Sequence, residues 1–525
     1  MRNPVFGRRI RLATSVVSMT VGLACGGSTV AADGQGDADA GNVETLPPDA
    51  ESDEAADGES DDDAATEMLG DTPILDAAGW EASEYVTLPP PGGECGDGVL
   101  DPGEECDDRN RLNGDGCDWL CRVGDGDPPP EPDPDATDYV PSGDAAALPG
   151  AVPDGVRGVE GMPFVWTGAE YATAWFQPDD PVEPLAGTIR FWRFDATGRR
   201  IDTEWRMPTV NREGGFDVVW TGTGFGLFFV DGETGLWYLR LSAVGKPEGS
   251  PVLIEGDPRV RAPTADLGPD GTIVVAWIRV DEGYFDTWVL CSPYYLHSLR
   301  VRRVDLDGGR IGPVYVVDDT AQGPPDIAAG GDGFGLVFTV PQDETVASGC
   351  ALRFEKLDAS LEHPVYSGVL GQEHWGDVKW VAAASQWVTA WTTPWPTADA
   401  AGEMRVARFA PDGSLVGPPV RNTLAGTEGR AHSKGVRIAA GDAGLSLVVC
   451  FCGDRLHYLR TDGRGVAIAP LRDVRGPFVC PAGLCYGLFH SYNAVWAGDG
   501  FAVLYSWTDY STPANLYLQL FTRAE

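Results

Sequence analysis

One pattern recurs seven times between residues 167 and 505. A small turn is followed by an aromatic or aliphatic residue and a run that closes on a bulky apolar one. The copies are TGAEYATAW (167–175), TGTGFGLFF (221–229), PDGTIVVAW (269–277), GDGFGLVF (331–338), ASQWVTAW (384–391), GDAGLSLVV (441–449) and GDGFAVLY (498–505). Anchored at Tyr171, Phe225, Ile273, Phe334, Trp387, Leu445 and Phe501, they are spaced by 54, 48, 61, 53, 58 and 56 residues. An alternating strand that mostly ends in a turn follows each copy, as in TIRFWRFDATG, SLRVRRVDLDG and MRVARFAPDG. Its anchors at Phe194, Leu241, Val304, Leu357, Phe409, Leu459 and Phe521 are spaced by 47, 63, 53, 52, 50 and 62 residues. Two landmarks with one mean period define a structural unit. A unit this short cannot bury its own apolar face, so the copies must stack on one another.

Each unit reads as strands with almost no helix. A short apolar strand (FVW, DVVW, AVW) turns into the apolar run. A strand alternating apolar residues with Arg or Tyr follows, then an Asp-x-x-Gly-type turn and a weaker fourth strand such as PVLIE or PVYVV. Four antiparallel strands repeated at roughly 50 residues make a β-propeller blade. The expectation is therefore an all-β, seven-bladed β-propeller of four-stranded antiparallel blades over residues 144–525. Two tandem β-sandwiches are the competing architecture, but they do not call for seven similar copies. The last copy stops at Glu525, just after its third strand. A bare edge there would be a liability, so Thr137–Val156 is expected to pair beside Asn515–Phe521 and close the ring.

The 2–3 connections are long at 177–187, 279–296, 341–349, 392–402 and 506–514, and the 4–1 link 473–491 is long too, whereas the 1–2 and 3–4 turns are tight. Length variation collected on one face marks that face as the functional one. Its aromatic residues Trp288, Tyr294, Tyr295, Trp375, Trp395, Trp507 and Tyr510 suit a sugar ring or an extended peptide, and equally suit packing within the loops. Cys291, Cys350, Cys450, Cys452, Cys480 and Cys485 fall on or near the same face. Cys291 and Cys350 sit on neighbouring blades in positions to staple them.

The 143 residues before the propeller differ in character. Residues 1–12 carry four Arg and no acid, residues 13–144 carry 34 acids and three bases, and the whole chain has a net charge of −41. That balance excludes a basic nucleic-acid footprint. Residues 1–24 have a basic start, a short apolar stretch and small residues before Cys25, as in a secretory signal. The run Gly22-Leu23-Ala24-Cys25 resembles a bacterial lipoprotein signal, which implies lipidation at Cys25. Residues 25–94 are an acidic, disordered tether. Residues 95–123 hold Cys95, Cys106, Cys117 and Cys121 in CGDGVLDPGEECDDRNRLNGDGCDWLC, too small to fold without disulfides. This stretch resembles the myxobacterial cysteine-rich repeat (CGDG, GEECDDGN, GDGC, Cys), departing from it at Arg109. That resemblance implies an exported surface protein. Divergent propellers are often found beside this repeat, and the present one looks similar to them. Asp107, Asp108, Asn110, Asn113, Asp115 and Asp118 supply closely spaced oxygens of the kind Ca²⁺ takes. They also simply make turns, and their spacing is not that of an EF-hand. Residues 124–143 form a stiff Pro/Asp linker.

No catalytic motif is present: no HExxH among the six His, no GxSxG, no P-loop and no sialidase Asp-box. The expectation is a non-enzymatic, monomeric binding module, lipid-anchored at the bacterial cell envelope, with no cofactor beyond that Ca²⁺ set. Its partner would be a glycan, a peptide or an envelope protein at the 2–3/4–1 loop face. Two alternatives stand beside it. One is a carbohydrate-active hydrolase using carboxylates on that face, such as Asp179/Asp180 or Asp281/Glu282. The other is a structural part of an envelope assembly.

Overall fold

A computed structural model describes residues 139–152, 162–178, 186–201, 205–211, 214–282, 296–341, 350–361, 364–372, 376–393, 402–424, 433–441, 444–451, 455–474, 488–508 and 514–524. The expectations for Cys25, the tether and the cysteine module with its Asp/Asn set lie outside them.

Seven antiparallel sheets form the ring. Their innermost strands are Phe164–Trp166, Phe216–Trp220, Val260–Leu267, Gln322–Gly330, Gly376–Val381, Ser433–Gly441 and Leu488–Trp496. Each sheet runs from its inner strand through two longer strands to an outer one. Blade 3, for example, orders Val260–Leu267, Ile273–Glu282, Leu296–Val304 and Arg310–Asp318 as four neighbouring strands. The outer strand of blade 6 is reduced to Arg472–Asp473.

The apolar runs that defined the repeat are the second strands. They are apolar throughout because both faces are covered. In blade 3, Ile273, Val275 and Trp277 pack against blade 2, while Val274, Ala276 and Ile278 pack against blade 4. Seven apolar clusters result, one between each pair of adjacent sheets. The cluster joining blades 7 and 1 contains Trp175 and Trp192 from one sheet and Leu504 and Leu518 from the other, so the ring is closed by core packing.

The 3–4 turns share one hydrogen-bond plan. Asp195, Asp305 and Asp462 each accept backbone N–H bonds on Oδ1 from the residues two and four positions on. The fourth residue of each turn has a left-handed backbone: Gly198 at φ 79°, Gly308 at φ 86° and Gly465 at φ 90°. Blade 4 keeps the turn with Leu361 at φ 64°. That leucine is buried in the cluster between blades 3 and 4, so apolar burial offsets a backbone that favours glycine.

The ring closes as the sequence requires. Tyr139–Pro141 and Ala146–Val152 both pair antiparallel with Ala514–Arg523, the third strand of blade 7. Tyr139 stands opposite Arg523, and Leu148 opposite Leu516. The joint is also held from blade 6. Tyr458 Oη donates to Tyr139 O at 2.9 Å, and the Arg460 guanidinium lies 4.5 Å from the Tyr139 ring centre.

Where inner strands end, tryptophans lean on glycines of the preceding blade. A methyl group on Gly330 would overlap the Trp380 ring, and one on Gly441 would overlap Trp496. Gly330→Ala should therefore displace Trp380 and lower stability by about 1–3 kcal/mol. A thermal melt and a shift in tryptophan emission would register this. An unchanged Tm would mean the ring is free to move aside.

Candidate functional site: the central channel

The inner strands leave a central channel enclosing about 510 Å³. Its lining is built by register. Counting back three residues from the inner-strand partner of each repeat anchor gives Pro163, Asp217, Thr264, Asp326, Asp377, Arg437 and Asn493. The partners themselves are Trp166, Trp220, Leu267, Ala329, Trp380, Ala440 and Trp496. An inner strand follows a 4–1 link and leads into a 1–2 turn. The polar layer therefore lies toward the elaborated face and the tryptophans toward the tight-turn face. Asp266 and Lys379 occupy the level between.

Four acidic residues tie consecutive blades together from blade 2 to blade 6. Asp217 accepts from Val218 N on its own strand and from Ala265 N of blade 3, both at 2.8 Å. Asp266 likewise accepts from Leu267 N and from Ala329 N of blade 4. Asp326 accepts from Val378 N of blade 5 at 2.9 Å, and Asp377 from Ile438 N of blade 6 at 2.5 Å. Asn493 makes the corresponding link with reversed polarity, donating Nδ2–H to Met162 O of blade 1. Edges of neighbouring inner strands are too far apart to pair directly, so a short acceptor side chain satisfies backbone donors that would otherwise be stranded.

Charge is distributed unevenly around the ring. On the blade 5 side, Lys379 Nζ is 2.7 Å from Asp377 Oδ1 and 3.4 Å from Asp326 Oδ2. The lysine is held firmly protonated by these two carboxylates, although burial opposes its charge. Burial pushes the Asp377 carboxyl up despite the lysine, and the adjacent Asp326 charge adds to this. On the side of blades 2 and 3, Asp217 and Asp266 have no Lys, Arg or His within ion-pair distance among the described residues. Burial pushes Asp217 up to about 7, against the pull of its two backbone N–H bonds. It raises Asp266 in the same way.

The residues expected on the loop face are placed only in part. Trp288, Tyr294, Tyr295, Trp375, Trp395 and Tyr510 lie outside the described residues, as do Asp179 and Asp180. Trp507 is on the second strand of blade 7, half-buried against the cluster between blades 6 and 7. Cys350 opens the third strand of blade 4, is buried, and is in a disulfide. Cys291, Cys452, Cys480 and Cys485 lie outside the described residues, and Cys450 is on the second strand of blade 6. Asp281 sits among Arg279 Nη1 at 3.1 Å, Arg259 Nη1 at 3.7 Å and Ser298 Oγ at 3.1 Å. No group of three or more His, Cys, Asp or Glu is arranged to hold a metal among the described residues. None of the described helices is long and apolar enough to cross a membrane.

Sequence reasoning missed the channel residues. Their signal was an acid opening or interrupting the short first strand: DVVW at 217–220, DIAA at 326–329 and DVKW at 377–380. A polar residue at one fixed register position in a strand read as apolar was the clue.

No family model matches the chain. It is similar over short stretches to pappalysin-1. Identity is 46% over 54 residues with the Homo sapiens protein, covering 9% of this chain and 3% of that one. It is 62% over 32 residues with the Mus musculus protein, covering 6% and 2%. The chain thus spans only a few per cent of the length of these relatives. Among solved structures it is similar to the Cps50 (Swd1) β-propeller domain of Myceliophteria thermophila, with 11% identity, a TM-score of 0.42, and 71% of this chain and 98% of that one covered. It is similar also to Kuenenia stuttgartiensis hydrazine synthase, with 13% identity, a TM-score of 0.42, and coverage of 71% and 98%. What establishes the seven-bladed propeller is the chain's own set of seven sheets with an apolar cluster between each adjacent pair.

Proposed function

We propose that this protein is a binding module: a rigid propeller that takes a glycan, peptide or surface partner at its 2–3/4–1 loop face. The supporting observation is the asymmetry of the ring. Tight, hydrogen-bonded turns close one face, while the long strand-2-to-strand-3 connections, for example those at 283–295 and 394–401, all leave from the other. The channel's charged layer lies toward that same elaborated face. Cys25 would carry the lipid, and the acidic stretch after it would hold the propeller away from an envelope membrane.

The test is binding of residues 26–525 to glycan and peptide arrays. A set of related hits that disappears when 283–295 and 394–401 are replaced by short Gly/Ser turns is the expected result. Hits that survive both replacements, or an array with none, would overturn the loop-face reading.

A second reading has one observation in its favour. Asp326 and Asp377 converge beside Lys379 with Asp377 pushed up, which is how a carboxylate pair is prepared for glycoside hydrolysis. Against it, both carboxylates already accept backbone bonds that hold blades together. Turnover of aryl glycosides abolished by Asp377→Asn, in a variant with an unchanged melt, would establish it.

A further inference from the structure

We propose that the Arg300 guanidinium, in the seam between blades 2 and 3, is a seat for the carboxylate of an acidic side chain on a peptide partner. This deepens the loop-face reading, and rests on it in bringing a peptide to that face. The residue four places after each repeat anchor faces the preceding blade. On the third strand of five blades an Arg or His stands opposite it: Arg190, Arg300, Arg353, Arg405 and His457. The chain supplies acids to this position from three places. Arg353 Nη1 is 2.5 Å from Asp318 Oδ2, on the outer strand of blade 3. Arg405 Nε is 3.6 Å from Glu403 Oε1, two residues earlier on its own strand. His457 Nδ1 is 2.7 Å from Asp473 Oδ1, directly opposite on the outer strand of blade 6.

At Arg300 none of the three places supplies a partner. Two residues earlier stands Ser298, whose hydroxyl accepts from Arg300 Nε at 3.1 Å. Directly opposite on the outer strand stands Val316. The counterpart of Asp318 is Glu255, which is opposite Leu236 as Asp318 is opposite Leu299. Glu255 acts on both Arg300 and Arg302 without standing within ion-pair distance of either. Asp281 and Asp257 also attract Arg300, but they are taken up by Arg279 and Arg259. Among the described residues no carboxylate bonds to Arg300. Burial, and after it the Arg279 charge, works against the charge of Arg300.

A planar guanidinium with unbonded terminal N–H groups is shaped to take a carboxylate in two parallel bonds. Arg300 is half-buried, so it is partly shielded from the water and salt that weaken exposed ion pairs. Val316 is 44% exposed beside it and offers apolar surface to the stem of the incoming side chain. A cation would meet Arg279, Arg300 and Arg302, and a neutral sugar would leave the guanidinium unpaired. Asp and Glu side chains fill the matching seats in blades 4, 5 and 6, which favours a peptide over a sugar acid. The seat lies toward the elaborated face. Arg279 and Ser298 stand opposite each other, and the 283–295 connection leaves just beyond them.

The experiment titrates the full chain with the peptide acetyl-Val-Glu-Val-amide and, separately, with its Gln counterpart, by calorimetry at about 0.15 M salt. Binding of the Glu peptide, about tenfold or more weaker for the Gln one, is the expected result. Arg300→Met should abolish the difference. Arg300→Lys should recover only part of it, because an ammonium cannot make the paired bonds. Val316→Asp should place an acid where blade 6 has Asp473, fill the seat from within and weaken binding about tenfold, with a melt at or above the parent's. Glu255→Gln should tighten binding several-fold by removing a competing charge. Equal binding of the two peptides, or of neither, would overturn the proposal, as would a Glu preference that survives both Arg300→Met and Val316→Asp. Methyl glucuronide bound through Arg300, with neither peptide bound, would overturn the peptide as occupant and give the seat to a sugar acid. Array hits indifferent to Arg300→Met would sink the seat and leave the loop-face reading standing. A Glu preference kept after both loop replacements would do the reverse.

Discussion

A chain lacking residues 139–152 should lose cooperative unfolding. Those residues supply the outer strand of blade 7, and with them go buried Tyr139 and Leu148, the acceptor for Tyr458 Oη and one of the two rings that Arg460 lies over. Loss of two large buried side chains alone costs about 5 kcal/mol or more, comparable to the whole stability of a typical domain. The third strand of blade 7 would be left as an unpaired edge carrying buried Leu516, Leu518 and Phe521, a template for aggregation. Circular dichroism melts and size-exclusion chromatography would show this as a broad transition and high-mass species. A rescue makes the test specific. Because Tyr139 stands opposite Arg523, residues 139–152 attached after Arg523 through a two-residue turn should form a hairpin in the same place and restore the melt. A truncated chain that melts like the parent would show that the apolar clusters alone hold the ring shut.

Lys379→Met should be the most damaging single substitution in the channel, and its effect should depend on pH. It leaves Asp326 and Asp377 without their ion-pair partner, with the Arg437 guanidinium of blade 6 as the remaining positive charge that acts on both. Removing one partner of a buried ion pair costs about 3–5 kcal/mol. Because the Lys379 side chain is 35% exposed, the expected loss at pH 8 is nearer 2–3 kcal/mol. The sign follows from the remaining carboxyls. Without the lysine, their folded-state pKa values rise above those of the unfolded chain. The variant should then be nearest to the parent below about pH 4 and fall progressively further behind as pH is raised through 7. Adding Asp326→Asn should recover part of the loss by removing the like-charge contact. Melts at pH 5 and pH 8 decide the matter, and a deficit equal at both would refute the charge argument.

The blades were legible in the sequence because their determinants are local. Ile273–Ile278 is a continuous apolar run since both of its faces are covered, and Asp195, Asp305 and Asp462 announce their turns by spacing from a glycine. The missing fourth strand was legible by counting. The channel was not, because its parts lie a whole repeat apart and no local motif joins them. Asp217, Asp326 and Asp377 share a register position, but the same position holds Pro163, Thr264, Arg437 and Asn493 elsewhere, and Asp266 falls two residues later. Each looked like an ordinary polar residue at a strand end. Only ring closure brings them to one axis. Leu361 was hidden for a related reason: nothing in DASL shows that a buried leucine takes the turn position where other blades use glycine.

The closing strand also sets an order of events. Tyr139 pairs with Arg523, a partner made hundreds of residues later. During synthesis the first strand of the domain must therefore wait while six blades accumulate behind it, and completion is governed by the slowest, most sequence-distant contact. The waiting segment is suited to that delay. It carries Pro141 and Pro149, which lack an N–H to offer a passing strand edge, and Gly143 and Gly150 near them. The residues that weaken this strand as a partner for others are tolerated in the finished ring because it forms the outermost edge of its sheet.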